Sequence, residues 1–327
     1  MIIAAADKLY PQKTVIVLNP GSGRLRKRMD RIRNLAALIP GAIVREARSL
    51  DELNRVVDEL SGLAPDHLVI VGGDGTVQAL LSRMIASGRW SNLPLISIVP
   101  GGTTNMTATD IGVRGSPEKN LKSLGQSLRS SSGIRLITRP LLQITQANRP
   151  DHYGMFFGIG IIARGAGYFH RHIKKSGLTG ESASAIVILR LLAGLLYGRK
   201  TEELSPVRIR LVDDSTKSRE YSCMLLFAST LDRLLLGMRP YWGGGSGAIH
   251  TTSIRESPAR LWRSLLTILC NDQPGVSEQD GYYSRNNESL EIEMDDDYII
   301  DGEFFRCDSL NGPLRISATR PVRFLLP

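Results

Sequence analysis

The chain has 327 residues, 42% of them apolar and 22% charged, and a net charge of +9. This is the composition of a folded globular protein with room for two domains, and it excludes a disordered or fibrous chain. Three widely spaced cysteines, Cys223, Cys270 and Cys307, exclude a disulfide framework and a cysteine zinc site and fit a reducing compartment, while the basic surface favours anionic partners.

Thr14 to Leu18 reads as a β-branched strand that ends in Asn19-Pro20-Gly21-Ser22-Gly23, and a basic helical stretch follows to about Leu38. Ala42 to Arg45 is a second strand. Ser49 and Glu52 form a capping box, after which Leu50, Leu53, Val57 and Leu60 line one helix face. His67 to Val71 is a third strand and ends in Gly72-Gly73-Asp74-Gly75-Thr76. Val77, Leu80, Leu81, Met84 and Ile85 then recur at helical spacing. Leu95 to Val99 is a fourth strand, running into Pro100-Gly101-Gly102-Thr103-Thr104-Asn105. Alternating strands and helices predict an α/β three-layer domain with a mostly parallel sheet.

Beyond the Ser-rich Ser130 to Gly133, strands dominate. They are expected over Ile134 to Gln146, Tyr153 to Ile162, Val207 to Val212, Tyr221 to Ser229, Ala248 to Ile254, Leu290 to Met294, Tyr298 to Arg306 and Leu314 to Ser317. Helical patterns at Ser184 to Leu196 and Pro258 to Leu269 interrupt them. The expectation is an α/β domain over residues 1–133 and a β-rich sandwich with a helical insertion over 134–317.

Three of the first four strands end in loops of glycine and small polar residues. In an open α/β sheet, ligands bind beyond the carboxyl ends of the strands. Glycine lets the backbone approach a ligand closely, and amides at the following helix N-termini attract phosphate. Asp74 stands among them. A carboxylate there repels phosphate unless a divalent metal such as Mg²⁺ offsets its charge; alternatively it takes a proton from an attacking hydroxyl. Both readings point to phosphoryl transfer.

These motifs resemble the diacylglycerol kinase catalytic-domain family, which includes soluble bacterial lipid kinases, sphingosine kinases and ceramide kinases. The resemblance rests on Val17 to Gly23, Val71 to Thr76, Pro100 to Asn105 with Ala108 and Gly112, and a late Ile300-Asp301-Gly302-Glu303. It implies an ATP-dependent kinase that phosphorylates a lipid hydroxyl, on diacylglycerol or on ceramide or a sphingoid base. It also implies that residues 318–327 return to the first domain. Asn19, Pro20, Ser22, Gly23, Gly72, Gly73, Gly75, Thr76, Gly102, Thr103 and Asn105 would bind ATP, and Asp74 would serve Mg²⁺ or act as base. Glu303 would be a catalytic carboxylate with Asp301 beside it. Tyr298 to Phe305 also reads as a hairpin with a type I′ turn, which can present Glu303 at its tip. The family often carries an acidic residue where this chain has Ser246, and Gly-Phe-Asp-Ala where it has Gly160-Ile161-Ile162-Ala163.

Gly158 to Ala163 matches a dinucleotide fingerprint only loosely and is read as close backbone packing. No run reaches the ~20 apolar residues of a membrane span, and the first ten residues make a poor signal peptide. The expected location is cytoplasmic and peripheral at the inner membrane face. His170 to Lys175, Ile186 to Tyr197 and Arg199-Lys200 are the expected contact with lipid. ATP and a lipid at the membrane surface are the expected partners, and a homodimer is admitted. Nucleic acid is disfavoured because no aromatic stacking platform accompanies the basic residues. An NAD kinase-like enzyme and a non-catalytic nucleotide- or lipid-binding protein are the alternatives.

Overall fold

The computed structural model describes residues 11–327 apart from 103, 131, 169–204, 215–217, 235–236 and 271–274. The predicted basic and apolar insertion, from His170 through Lys200, lies outside the described residues. So does Thr103. The chain divides into two units. One runs to Arg139 and takes back Pro321–Pro327; the other is Pro140–Arg320.

The first unit contains β1 (Thr14–Leu18), α1 (Met29–Ala37), β2 (Ile43–Glu46), α2 (Leu50–Leu63), β3 (His67–Gly72), α3 (Asp74–Ala86), β4 (Leu95–Pro100), α4 (Met106–Asp110), α5 (Pro117–Ser130) and β5 (Arg135–Arg139). Its sheet has the order β2-β1-β3-β4-β17-β5, where β17 is Val322–Leu326. Pairings from β2 to β17 are parallel, and β17 runs antiparallel to β5. Every residue of β1, β3 and β4 is buried, as expected of strands covered on both faces. One core packs Ile16, Leu18, Val69 and Val99 against Leu25, Ile32 and Ala36 from the α1 region and Leu121 and Leu124 of α5.

The predicted cap of α2 forms: the Ser49 hydroxyl accepts from Glu52 N at 3.2 Å. The Glu52 carboxylate accepts from Arg48 N rather than from Ser49 N. Leu50 departs from the predicted face and is 70% exposed; Leu53, Val56, Val57 and Leu60 supply the buried stripe. As the first helical residue, Leu50 lies ahead of the turn that packs on the sheet.

The predicted strand from Ile134 to Gln146 is two strands in two sheets. Pro140, which has no N–H to give a ladder, separates β5 from β6 (Leu142–Thr145), the first strand of the second unit. There, β7 (His152–Gly154) and β8 (Phe156–Gly160) lead into α6 (Ile161–Tyr168), so the predicted strand to Ile162 ends early. Gly160, at φ +66°, makes the corner, and a Cβ on it would lie 2.3 Å from the Met224 carbonyl oxygen. That is the close packing expected of this stretch.

The remaining elements are β9 (Val207–Asp213), β10 (Ser218–Ser229), β11 (Ile249–Arg255), α7 (Leu261–Cys270), β12 (Tyr282–Asn287), β13 (Ser289–Glu293), β14 (Asp297–Ile300), β15 (Glu303–Arg306) and β16 (Leu314–Ala318). They form one eleven-stranded sheet in the order β15-β14-β8-β10-β9-β13-β16-β6-β7, with β11 and β12 branching from β10. The twelve-residue β10 pairs β9 through its first half and β8 through its second, across a register shift between Cys223 and Leu225. The two ends of the sheet meet, with His152 of β7 and Phe305 of β15 placing ring centroids 4.2 Å apart. Phe157, Leu211, Leu226, Ile292 and Ile316 fill the enclosed core. β12 was not legible in the sequence because its residues, Tyr-Tyr-Ser-Arg-Asn-Asn, lack an apolar alternation. No helix among the described residues is long and apolar enough to cross a membrane.

A polar row crosses the first sheet. His67 is fully buried, with Nδ1 3.3 Å from the Thr14 hydroxyl and Nε2 2.8 Å from the Ser97 hydroxyl, which donates to the Leu325 carbonyl at 2.7 Å. Burial pushes the imidazole down to about 4 from 6.5. The unfolded chain therefore binds a proton between these values that the folded chain refuses. The stabilisation is complete above about pH 6.5 and is lost as pH falls towards 4, by about 3 kcal/mol in all. Denaturant titrations between pH 7 and 4 should show this loss, and it should be smaller in His67→Gln. Parallel losses in the two proteins would remove His67 as its source.

Candidate active site

The strand order of the first sheet reverses between β1 and β3, the crevice position at which open α/β sheets bind ligands. The turns after β1, β3 and β4 are joined there by backbone hydrogen bonds. Asn19 N donates to the Val71 carbonyl at 2.9 Å, Gly101 N to Gly72 at 2.7 Å, and Arg24 N to Gly101 at 3.0 Å. Glycine is required where the turns touch. A Cβ on Gly102 would lie 2.6 Å from Gly73 Cα, one on Gly73 would lie 2.9 Å from Gly102 Cα, and one on Gly101 would meet Leu25.

Side chains fix the same turns. Asn19 Nδ2 donates to the Thr76 hydroxyl at 2.8 Å, and Asn19 Oδ1 accepts from Gly21 N at 2.9 Å. Asn105 adopts φ +51°, a conformation asparagine tolerates, and its side chain closes on both backbone groups of Gly102. Ser22 and Thr76 are buried, while Gly23 is exposed. Pro20 and Gly75 sit in the β1 turn and the first turn of α3. The N-cap of α3 is Gly73, which offers no side chain; Thr76 N turns back to the Gly73 carbonyl at 3.0 Å, and the Asp74 and Gly75 amides remain for an anion.

Asp74 lies at the joint, 9% exposed. Its Oδ2 accepts from the Thr104 hydroxyl at 2.9 Å and Met106 N at 3.0 Å, and its Oδ1 accepts from Thr107 N at 3.1 Å. The carboxylate thus caps α4 from a neighbouring strand turn. At the other end of α4, Asp110 pairs with Arg139 of β5 at 2.9 Å. The roles of Met106 and Thr107 were missed in the sequence because a five-residue helix leaves no periodicity. The left-handed Asn105 just before it was the available signal.

Among the described residues no group of three or more His, Cys, Asp or Glu could hold a metal ion. The donors present instead suit a cation that arrives with a nucleotide, keeps its waters and needs one carboxylate. With three donors on its two oxygens, Asp74 keeps lone-pair capacity for such an ion.

In the second unit, β14 and β15 form the predicted hairpin. Asp301 (φ +49°) and Gly302 (φ +94°) give the positive φ pair of a type I′ turn. The Asp301 carboxylate accepts from Met155 N and Phe156 N, both at 2.9 Å, and so holds β8 to the hairpin. Glu303 is exposed.

The glycine contact sets a contrast between two substitutions. Gly102→Ala forces backbone apart and should destabilise the protein by about 1–3 kcal/mol. Gly62→Ala, in an exposed turn of α2 with open space at the Cβ, should stabilise it by about 0.5–1 kcal/mol. Urea titration of the two variants checks both signs.

Residues 13–134 match the family model described as the diacylglycerol kinase catalytic domain. No curated protein matches the chain. Solved structures do. One titled a putative diacylglycerol kinase from Bacillus anthracis str. Sterne has a TM-score of 0.67 at 17% identity, over 98% of this chain and 99% of that one. Another, titled a diacylglycerol kinase from the same organism, has a TM-score of 0.63 at 14% identity, over 98% of each chain. At these identities the structural likeness is one of fold. The likeness that reaches beyond the fold is thus that of residues 13–134, which match the diacylglycerol kinase catalytic domain.

Proposed function

We propose that the protein transfers the γ-phosphoryl group of Mg²⁺-ATP to a hydroxyl of a membrane lipid, with diacylglycerol the first candidate and ceramide or a sphingoid base the second. The observation that carries this is the interlocked set of glycine turns with Asp74 at its joint. Bound Mg²⁺-ATP supplies the electrophilic phosphoryl group. Gly73 and Gly102 let the two turns meet without side chains between them, and the Asp74 and Gly75 amides at the start of α3 would receive the anion. Asn19, Thr76 and Asn105 hold those turns in place. Asp74 is the carboxylate that would hold the metal, while capping α4.

The proton of the attacking hydroxyl goes to Glu303. Asp74 already receives three donors, whereas the Glu303 carboxylate is exposed and has no hydrogen bond or ion pair among the described residues. An unengaged carboxylate is the better proton acceptor of the two. Asp301 is then a positioning residue, fixing the hairpin that carries Glu303. The enzyme meets its substrate as a peripheral protein at the inner membrane face, which suits a net charge of +9.

The two carboxylates are separable. Glu303→Gln should cut turnover about 10²–10⁴-fold with folding stability unchanged. Asp74→Asn should lower turnover and also destabilise the fold by about 1–3 kcal/mol, because an amide cannot accept all three donors. Initial rates with labelled ATP and purified diacylglycerol, ceramide and sphingosine measure both effects and identify the lipid. Near-normal turnover in Glu303→Gln would remove it as the base, and absence of labelled product from every lipid would remove the proposed reaction.

A further inference from the structure

The second unit has a pocket lined by two arginines and one glutamate, Glu278, that no step above uses. It encloses about 380 Å³ and is lined by Arg219, Trp242, Gly244, Tyr283 and Arg285 among others. Its wall is rigid. Asp213, whose side chain is fully buried, accepts from the Tyr283 hydroxyl at 2.6 Å and from Arg219 at 2.9 Å. Arg219 also pairs with Glu278 at 2.9 Å and lies over the Tyr283 ring, 5.1 Å from its centroid.

Arg285 differs. It is partly buried on β12, yet its guanidinium has no hydrogen bond or ion pair among the described residues. A charged group taken partly out of water without a partner is costly, and five donors in a fixed fork suit an oxyanion. The rim beside it is bare backbone. Gly243, Gly245 and Gly247 lie so close to β12 that a Cβ would fall 1.9 to 2.2 Å from Ser284, Asn286 and Asn287 backbone atoms. Gly243 to Gly245 is therefore free of side chains, with Ser246 following, and the exposed Gly244 and Gly245 can present main-chain amides. Trp242 adds an aromatic wall.

We propose that this pocket binds a phosphomonoester attached to a planar or apolar group, the phosphate on Arg285 and the glycine rim and the attached group on Trp242. Fork and amides together offer more donors than the two oxygens of a carboxylate use. The proposal is independent of the assignment of Asp74 and Glu303.

Phenyl phosphate is the probe, read by tryptophan fluorescence. Wild-type protein should show saturable quenching that is absent in Trp242→Phe. Arg285→Gln should weaken binding about tenfold or more, the cost of a charge-assisted hydrogen bond, without lowering the thermal midpoint. Gly244 has open space at its Cβ and no positive φ, so Gly244→Ala should bind normally. Gly244→Glu should fold and not bind, which gives a second test should Arg285→Gln misfold. Competition by phosphatidylcholine vesicles containing phosphatidic acid would make a lipid headgroup the natural source, and lack of competition a soluble ester. Quenching that persists in Trp242→Phe, binding unchanged in Arg285→Gln or Gly244→Glu, or benzoate bound as tightly as phenyl phosphate would overturn the proposal.

Discussion

Two main-chain segments meet at Gly73 and Gly102 with no side chain between them, and the architecture of the first unit follows from that approach. It sets the spacing of the turns after β3 and β4 and brings Asn105 within reach of both polar groups of Gly102. It also starts α3 on a residue without a cap. A side chain at either glycine would separate the turns and shift the start of α3.

Charge is placed in the same economical way. Asp74 follows one turn directly and caps a helix that follows another, so a single carboxylate sets the entry to α3 and α4 together. The far end of α4 is tied to β5 through Asp110 and Arg139. A five-residue helix is too short to be stable through its own hydrogen bonds. Its persistence rests on these two anchors, and through them the geometry of the glycine turns is coupled to the edge of the sheet. In the second unit Asp301 plays a comparable part, its carboxylate engaged by the Met155 and Phe156 amides while Glu303 has no side-chain partner among the described residues.

The sequence carried the first unit well because its signals are local. Buried parallel strands appear as β-branched runs, and glycine turns mark where they end. The type I′ hairpin at Asp301-Gly302 was legible for the same reason. Long-range features were not. Nothing in Ile134 to Gln146 announces that its halves join different sheets, although Pro140 marks the break. The polar β12 owes its strand state to pairing with β11 and to the glycine run laid along it, both remote in sequence. Asp74 stands out in the sequence as a carboxylate among glycine turns, but its engagement with Met106 and Thr107 depends on a helix too short to leave a pattern.

Strand β17 lies between β4 and β5 in the first sheet, although the whole second unit separates it from them in the chain. On the ribosome, residues up to Arg139 emerge with a gap where β17 belongs, leaving exposed strand edges until Val322 to Leu326 are made. Nascent domains commonly fold in the order of synthesis. Here the unit begun first is completed after the second, so its sheet reaches its final hydrogen-bonded state only once residues 140–320 have been translated.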